Sequence, residues 1–428
     1  MLSRMEHDSI GALNVPAEAY YGVQSMRAAT NFQITHRPLH PVLIDSIVMV
    51  KKAAAITNEK SGKLDQQIAQ AIIQACDEIL DGNLRDQFIV DAIQGGAGTS
   101  ANMNANEVIA NRAIEILGGT KGDYSVVHPN DHVNMSQSTN DVIPTAGKIT
   151  VLKLLPQTIK ELEKLEKAME EKEAEFDDIL KMGRTQLQDA VPMRLGQSFG
   201  AFAHVLKRDI KRLKNVMDEM KVLNIGATAI GTAINVDPYY LANISYELSK
   251  VAGISLKQAD DLIDATQNLD GFVSVSGVLK TCAVDISKIS NDLRLMSSGP
   301  RTGLSEINLP ARQNGSSIMP GKINPVIPEV VSQVVYLIIG HDYTITMAAE
   351  AGQCEKYIEK SVGISTALCP YIGYAKSAEI AKKSLKTGIS VKELVLEEGL
   401  LNEEELKEIL KPEKMTQLMR EKVMKAVS

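Results

Sequence analysis

A short polar loop near residue 320 combines groups that suit chemistry on a carboxylate. Its sequence, GSSIMPGKINP, covers residues 315–325 and contains Ser316, Ser317, Lys322 and Asn324. Hydroxyl and amide groups can bind carboxylate oxygens, and a lysine adds a full positive charge. The two glycines of the loop let the backbone approach a ligand and let the loop move. The loop is therefore a candidate site for binding and transforming a small anion.

Two further polar loops share this design. They are GGAGTSANMNANEV at 95–108 and NMSQSTNDVIPTA at 134–146, the second of which contains Ser138, Thr139 and Asn140. Each is predicted to enter a helix, whose N-terminus carries partial positive charge and exposed N–H groups. Helix capping by Ser, Thr or Asn explains each loop separately. It does not explain Gly-Ser-Ser and Pro-Gly-Lys in one loop, whereas three such loops around a cavity would hold a small dicarboxylate.

Long helices are predicted to position these loops. Apolar residues recur at spacings of three and four over 199–220 and again over 275–296. Such a stripe indicates a helix with one packed face. A third long helix is predicted over about 139–180, and a fourth begins after Pro325 and runs to about Gln353. Four long helices with apolar faces indicate a helical bundle.

The rest of the chain is predicted to be helical as well, which makes the fold class all-α. Shorter helices are predicted near 42–60, 64–81 and 103–117, and again after about 355. The segment GRTQLQDAVP at 183–192 is predicted to be non-helical. The predicted domains are an N-terminal helical domain at 1–138, a central long-helix bundle at 139–354 and a small C-terminal helical domain at 355–428.

Composition excludes several classes of protein. The chain has 428 residues, of which 44% are apolar and 23% are charged, and its net charge is −7. This balance disfavours nucleic-acid binding, which needs a basic face, but it permits a locally positive site for a small anion. The most apolar segment, at 330–340, is shorter than the roughly 20 residues of a membrane-spanning helix. We therefore expect neither a nucleic-acid partner nor a membrane partner.

The cysteines and the N-terminus suggest a cytoplasmic protein. Its four cysteines are far apart and form no CxxC pair, so we expect reduced thiols and no zinc site. The first residues, MLSRMEHDSIG, contain no apolar signal region. There is neither a glycine-rich dinucleotide motif nor a phosphate-binding P-loop motif. We therefore predict no cofactor and no metal.

Several segments, in order along the chain, resemble blocks of the aspartase/fumarase superfamily. They are EHDSIGALNVPAEAYYGVQSMRA, QGGAGTSANMNANEVIANRA, HPNDHVNMSQSTND, GRTQLQDAVPMRLGQ and GSSIMPGKINP. The resemblance runs across nearly the whole chain. It implies an all-helical homotetramer with a central helical bundle. It also implies active sites built from three subunits, which would bring together loops that are distant in sequence.

The resemblance also implies a reaction and roles for individual residues. The reaction eliminates a group across the Cα–Cβ bond of a small dicarboxylate and releases fumarate through an aci-carboxylate intermediate. By resemblance, Ser316 is the base that removes the Cβ proton, and the loop at 315–325 closes as a lid. The substrate-binding residues implied are Ser138, Thr139, Asn140, Thr185, Gln186, Ser317, Lys322 and Asn324.

Gln186 bears on which group is eliminated. Water needs a general acid to leave, and the fumarase-like pattern has histidine at this point of the GRT motif, whereas glutamine has no titrating proton. Ammonia leaves as a neutral molecule and needs no such acid. Gln186 therefore favours deamination of L-aspartate over dehydration of malate, the alternative reaction. A non-catalytic helical scaffold is a second alternative, against which Ser316, Lys322 and Asn324 argue.

Two features depart from the superfamily pattern. Relatives can carry threonine at the position of Ala101, where a hydroxyl would face the substrate. The chain also passes directly from its fourth long helix into the C-terminal region after Gln353, where relatives carry another long core helix. Either a segment is omitted from the sequence or the chain is altered. In both cases the bundle is expected to expose an apolar face.

Overall fold

A computed structural model describes residues 2–351, 367–387 and 389–410. Helices dominate, which confirms the predicted helical fold. The helices are α1 (Val23–Asn31), α2 (Pro41–Lys60), α3 (Gln66–Leu80), α4 (Thr99–Ile116), α5 (Thr139–Glu175), α6 (Leu195–Met220), α7 (Pro238–Ala252), α8 (Leu262–Gln267), α9 (Asp270–Met296), α10 (Val326–Glu350), α11 (Cys369–Ile372), α12 (Tyr374–Thr387), α13 (Val391–Glu397) and α14 (Glu403–Ile409).

The described strands form three small two-stranded sheets. Two are antiparallel hairpins, and the third is a short parallel pair. The strands are β1 (Ser3–Asp8), β2 (Gly11–Pro16), β3 (Leu180–Thr185), β4 (Gln188–Arg194), β5 (Val222–Leu223) and β6 (Lys257–Gln258). The prediction that 183–192 is non-helical is confirmed. The predicted end of the third long helix near 180 is wrong, because α5 ends at Glu175 and Leu180 already begins β3.

Residue contacts divide the chain into two compact units. Unit 1 contains Met1–Thr150, Lys221–Asn268 and Gly352–Ser428, and unit 2 contains Val151–Met220 and Leu269–Ala351. The segment 221–268 belongs to unit 1 because α7 packs against α2, and the β5–β6 pair lies within this segment. The three-domain division predicted from the sequence is a different partition, and it stays a prediction.

Unit 1 is built around α2 and α4. Helix α2 begins with Pro41 after His40, whose ring accepts a hydrogen bond from the backbone N–H of Val42. It packs against α3 and α7, and α4 packs against α1 and α3. Apolar side chains of both helices are fully buried, including Ile47 and Ile109. Both helices also contact the segment at 129–133, which precedes the loop that leads into α5.

Unit 2 confirms the two predicted apolar stripes. Helix α9 packs against both α6 and α10. From residue 199 onward, the large apolar side chains of α6 that are buried are Phe199, Phe202, Leu206, Ile210, Leu213, Val216 and Met220. The buried face of α9 includes Val275, Cys282, Ile289 and Met296. The periodicity of apolar residues was sufficient to predict α6 and α9, because each helix buries one continuous face.

Helix α10 leaves much apolar surface exposed. Its buried residues are Ser332, Val335 and Asp342, the last of which binds Ser276 and Lys280 of α9. Its exposed large apolar side chains are Ile327, Val330, Val334, Tyr336, Leu337, Ile339, Tyr343, Ile345 and Met347. The exposed apolar face expected from the sequence is therefore present. Sequence analysis attributes this exposed face to the junction after Gln353, and that junction lies outside the described residues.

Across the described ranges, no helix combines the length and the apolarity needed to span a membrane. The same residues contain no cluster of three or more His, Cys, Asp and Glu side chains that could hold a metal ion.

Candidate functional site

The loop at 315–325 is closed at its base by one backbone and one side-chain hydrogen bond. The N–H of Gly315 donates to the carbonyl of Lys322 at 3.0 Å, and the side-chain amide of Asn324 donates to the carbonyl of Gly315 at 3.1 Å. A Cβ atom on Gly315 would lie 2.4 Å from the backbone nitrogen of Asn324, so this closure requires glycine. Gly321 has a φ of +79°, a conformation that also favours glycine. The glycines of the motif therefore shape the loop that carries the predicted base.

The hydroxyl of Ser316 lies at a cluster of backbone donors. Its Oγ accepts hydrogen bonds from the N–H groups of Met319 at 3.0 Å and Ile318 at 3.3 Å. Donors aimed at an oxygen stabilise its negatively charged form relative to its neutral form. Ser316 is half-buried, whereas Ser317 and Lys322 are exposed. This arrangement suits a serine that must accept a proton from carbon.

Lys322 offers a positive charge to a ligand. Its side chain is exposed and forms no ion pair with any residue that the structure describes. Lys181 and Arg184, also in unit 2, are both paired with Glu306, whereas Arg312, which precedes the loop, is exposed and has no ion pair among the described residues. Lys322 is therefore the cation of the loop that remains available to an incoming carboxylate.

Thr185 and Gln186 lie at the tip of the β3–β4 hairpin. Thr185 pairs with Gln188, which leaves Gln186 and Leu187 as a two-residue turn with φ values of +52° and +63°. A left-handed conformation costs a non-glycine residue about 1–2 kcal/mol. Such strain persists where the surroundings impose it, and it is frequent at functional sites. Gln186 is exposed on this turn, and Thr185 is exposed beside it at the end of β3.

The hairpin is tied to the segment that leads to the Ser316 loop. The guanidinium of Arg184 donates to Glu306 Oε1 at 2.7 Å, and Lys181 Nζ lies 3.3 Å from Glu306 Oε2. Glu306 follows α9 and precedes the loop at 315–325. These ion pairs lie within unit 2 and are largely shielded from water, so they hold the hairpin more firmly than an exposed pair would. Sequence reasoning missed Glu306, which carries no local motif signal.

In unit 1, Ser138, Thr139 and Asn140 form the start of α5. Ser138 Oγ accepts a hydrogen bond from the N–H of Asn140 at 3.3 Å, as expected of a helix cap. The side-chain amide of Asn140 donates to the carbonyl of Ala229 at 2.8 Å. Capping and ligand binding are compatible here, because the half-buried hydroxyls of Ser138 and Thr139 lie at the positive end of a long helix.

The third polar loop enters α4. Its backbone reaches the helix through Gly98, with a φ of +87°, and the N–H of Ala101 donates to the side chain of Gln94 at 2.7 Å. Ala101 is buried. The methyl group of Ala101 thus faces protein rather than open solvent, and the first turn of α4 obtains its cap from Gln94 instead of from a local hydroxyl.

The predicted site residues belong to both units. Ser138, Thr139 and Asn140 lie in unit 1, and the others lie in unit 2. Within unit 2 the structure gathers Ser316, Ser317, Lys322 and Asn324 in one loop. The sequence signal that could have revealed one further residue is Ser138-Thr-Asn-Asp141, the spacing of a capping box. Asp141 indeed accepts a hydrogen bond from the N–H of Ser138 at 2.8 Å.

Curated relatives match nearly the whole chain. Aspartate ammonia-lyase from Bacillus subtilis is 49% identical over 96% of this chain and 96% of that protein. Aspartate ammonia-lyase from Escherichia coli is 47% identical over 95% of this chain and 94% of that protein. The Bacillus subtilis alignment spans 455 positions, whereas 96% of 428 residues is about 411, so about 44 positions have no counterpart in this chain. The sequence predicts such a shortfall after Gln353.

Solved structures and family descriptions agree with these relatives. A fumarate lyase:delta crystallin from Brucella melitensis, bound to cobalt, has a TM-score of 0.81 and 47% identity, covering 97% of this chain and all of that chain. A class II fumarase from Schistosoma mansoni has a TM-score of 0.79 and 32% identity, covering 97% of this chain and 99% of that chain. The family described as lyase matches residues 11–340, and the family described as fumarase C C-terminus matches residues 364–417. Because these matches cover most of its length, the chain belongs to the aspartase/fumarase superfamily of lyases.

Proposed function

We propose that this chain catalyses the reversible deamination of L-aspartate to fumarate and ammonia. The observation that carries the proposal is identity of 47–49% to proteins named aspartate ammonia-lyase over nearly their whole length. The geometry of the Ser316 loop supports it, since a serine with two backbone donors shares the loop with Lys322, whose charge is available to a ligand. Both groups are needed to remove a proton from carbon next to a carboxylate.

The proposed mechanism assigns proton removal to Ser316. Its ionised Oγ takes a proton from Cβ, and the electron pair of that C–H bond is held as an aci-carboxylate with additional negative charge. Fixed donors aimed at developing charge usually contribute most to the rate enhancement in such reactions. Lys322, Asn324 and Ser317 would hold that carboxylate. The electron pair then forms the Cα–Cβ double bond as the C–N bond breaks and ammonia leaves with the bonding pair.

The other end of the substrate is assigned to the second group of site residues. By the resemblance, which implies active sites built from residues of three subunits, Ser138, Thr139 and Asn140 would bind the α-carboxylate and the amine, and Thr185 and Gln186 are assigned to the same end of the substrate. The N-terminus of α5 supports the assignment of the first three residues, because it presents N–H groups to an anion, and the exposed positions of Thr185 and Gln186 make them accessible to a ligand. No group in this set needs to protonate the leaving nitrogen.

The competing reaction is hydration of fumarate, which the 32% identity to a class II fumarase supports. We expect the purified protein to form fumarate from L-aspartate much faster than from L-malate, because Gln186 supplies no acid for a leaving hydroxide. Ultraviolet absorbance of fumarate measures both rates in parallel. A protein that converts malate faster than aspartate would overturn the assignment, and one inert to both would indicate the non-catalytic scaffold.

We further propose that the chain is a cytoplasmic homotetramer. The exposed apolar face of α10 supports association, since apolar patches of this extent on soluble proteins mark interfaces. Cys76 and Cys282 are buried thiols rather than disulfides, which supports a reducing compartment. Sedimentation at micromolar concentration should give a mass four times that of one chain. A monomer under these conditions would contradict the tetramer.

A further inference from the structure

A fully buried carboxylate connects the start of α5 to a distant segment of unit 1. Asp141 Oδ1 accepts a hydrogen bond from the N–H of Ser138 at 2.8 Å. Its Oδ2 accepts from the N–H groups of Gly226 and Thr228, each at 3.1 Å. One side chain therefore fixes two backbone segments that are more than 80 positions apart in the sequence.

The segment at 224–229 forms two more hydrogen bonds with the same turn. The side-chain amide of Asn140 donates to the carbonyl of Ala229 at 2.8 Å, and the side-chain amide of Asn224 donates to the carbonyl of Asn140 at 3.0 Å. Gly226 and Thr228 have φ values of +89° and +58°. These conformations turn two nearby N–H groups toward one oxygen, as in other anion-binding backbone nests.

The surroundings of Asp141 are otherwise closed to water. Burial raises the pKa of Asp141 to about 7, against the opposing effect of its three backbone donors and of Lys51. Lys51 is itself buried and donates to the side chain of Asn134 at 2.7 Å, and burial lowers its pKa to about 7. Burial, and secondarily the charge of Asp141, raise the pKa of the buried Tyr240. A carboxylate this deep in the protein has no access to a substrate.

We propose that Asp141 is a positioning residue, which sets the geometry of Ser138, Thr139 and Asn140 by holding them against the segment at 224–229. This inference rests on the proposed function, since it assumes that these three residues bind the substrate. A small displacement of binding groups lowers catalysis strongly even when the fold is intact. Loss of the hydrogen bonds of Asp141 should therefore weaken substrate binding more than it destabilises the fold.

The chain offers a matched control in the same unit. Glu107 is also buried, and its carboxylate accepts hydrogen bonds from the N–H groups of Gly22, Gln24 and Ser25 at 2.9–3.0 Å. Burial raises the pKa of Glu107 to about 7 as well. It ties α1 to α4 and bonds to none of the predicted site residues. A Glu107 variant therefore measures how much a buried carboxylate of this kind contributes to the stability of the fold, without a direct effect on the predicted site residues.

The test compares Asp141→Asn with Glu107→Gln. Each change keeps the shape of the side chain but turns one acceptor oxygen into an NH₂ donor that faces backbone N–H groups. We expect similar losses of thermal midpoint in both variants. In Asp141→Asn, kcat/KM for aspartate should fall at least about tenfold further than in Glu107→Gln, mainly through KM. Equal losses of kcat/KM in the two variants would show that Asp141 serves folding only.

Asn224→Ala tests the inference if Asp141→Asn does not fold. It removes the bond to the carbonyl of Asn140 and keeps Asp141, so KM should again rise. An unchanged KM in a folded Asn224→Ala variant would overturn the inference. Calorimetric binding of fumarate gives a readout that needs no turnover. A wild-type chain that neither deaminates aspartate nor binds fumarate would overturn the proposed function and this inference together. An active wild type whose Asp141→Asn and Glu107→Gln variants lose equal kcat/KM would overturn this inference only.

Discussion

Replacing Ser316 with alanine is expected to lower kcat for aspartate by about 10² to 10⁴, the usual contribution of a positioned base. The change removes the oxygen that accepts hydrogen bonds from Ile318 and Met319. It leaves the loop closure between Gly315 and Lys322 in place, because that closure is made by backbone groups. Binding of aspartate should persist, since proton removal and carboxylate binding use different groups.

The Ser316→Ala result is read beside two controls. The thermal midpoint should change little, because a half-buried loop serine contributes little to a core. Ser317→Ala removes the adjacent hydroxyl, which is exposed, and should act mainly on KM. A stable Ser316→Ala variant that keeps more than about a tenth of wild-type kcat would remove Ser316 from the mechanism. Ser317 would then be the next candidate for the base.

Replacing Lys322 with methionine should lower kcat/KM for aspartate by about 10-fold to 100-fold, because hydrogen bonds to charged groups contribute about 1.5–3 kcal/mol. Methionine keeps much of the length of the side chain but removes its charge. The backbone of residue 322 still closes the loop, so the loss should be confined to the carboxylate that Lys322 holds. Steady-state kinetics with aspartate measures the effect as a rise in KM together with a fall in kcat.

Two further lysine variants separate charge from geometry. Lys322→Arg keeps the charge on a planar, wider group and should recover only part of the loss. Lys164→Met removes a surface lysine of α5 that pairs with Glu161, and surface pairs of this kind contribute little. Kinetics of Lys164→Met should match wild type. Unchanged KM and kcat in Lys322→Met would show that this lysine merely occupies the surface.

Helices could be predicted from the sequence wherever one continuous face is buried. The stripes of α6 and α9 repeat every three or four residues, and the structure buries those same faces. Helix α10 begins at Val326, directly after Pro325 as predicted, but Pro325 occupies the N-cap position and Asn324 donates to Gly315 instead of capping the helix. The β3–β4 hairpin could be predicted only as non-helical, because its turn residues, Gln186 and Leu187, lack the Asn-Gly signature of a two-residue turn.

Candidate site residues could be named from the sequence only where they lie in compact motifs, and their roles stay predictions. Ser316, Lys322 and Asn324 stand within one loop, and the structure holds them there. Glu306 and Asp141 act through partners more than 80 positions away, and nothing in their local sequence specifies those partners. For the same reason, the sequence could not predict that the segment at 221–268 belongs to unit 1, because this depends on the packing of α7 against α2. Local patterns do not encode such long-range contacts.

The most direct test of the proposed reaction runs it in reverse in heavy water. Fumarate and ammonium are incubated with the protein in D₂O, and proton NMR follows the products. Because Ser316 would deliver a solvent-derived deuteron to Cβ, we expect L-aspartate with deuterium at one of its two Cβ positions. Malate as the main product would contradict the assigned reaction, and aspartate without deuterium at Cβ would contradict removal of the Cβ proton.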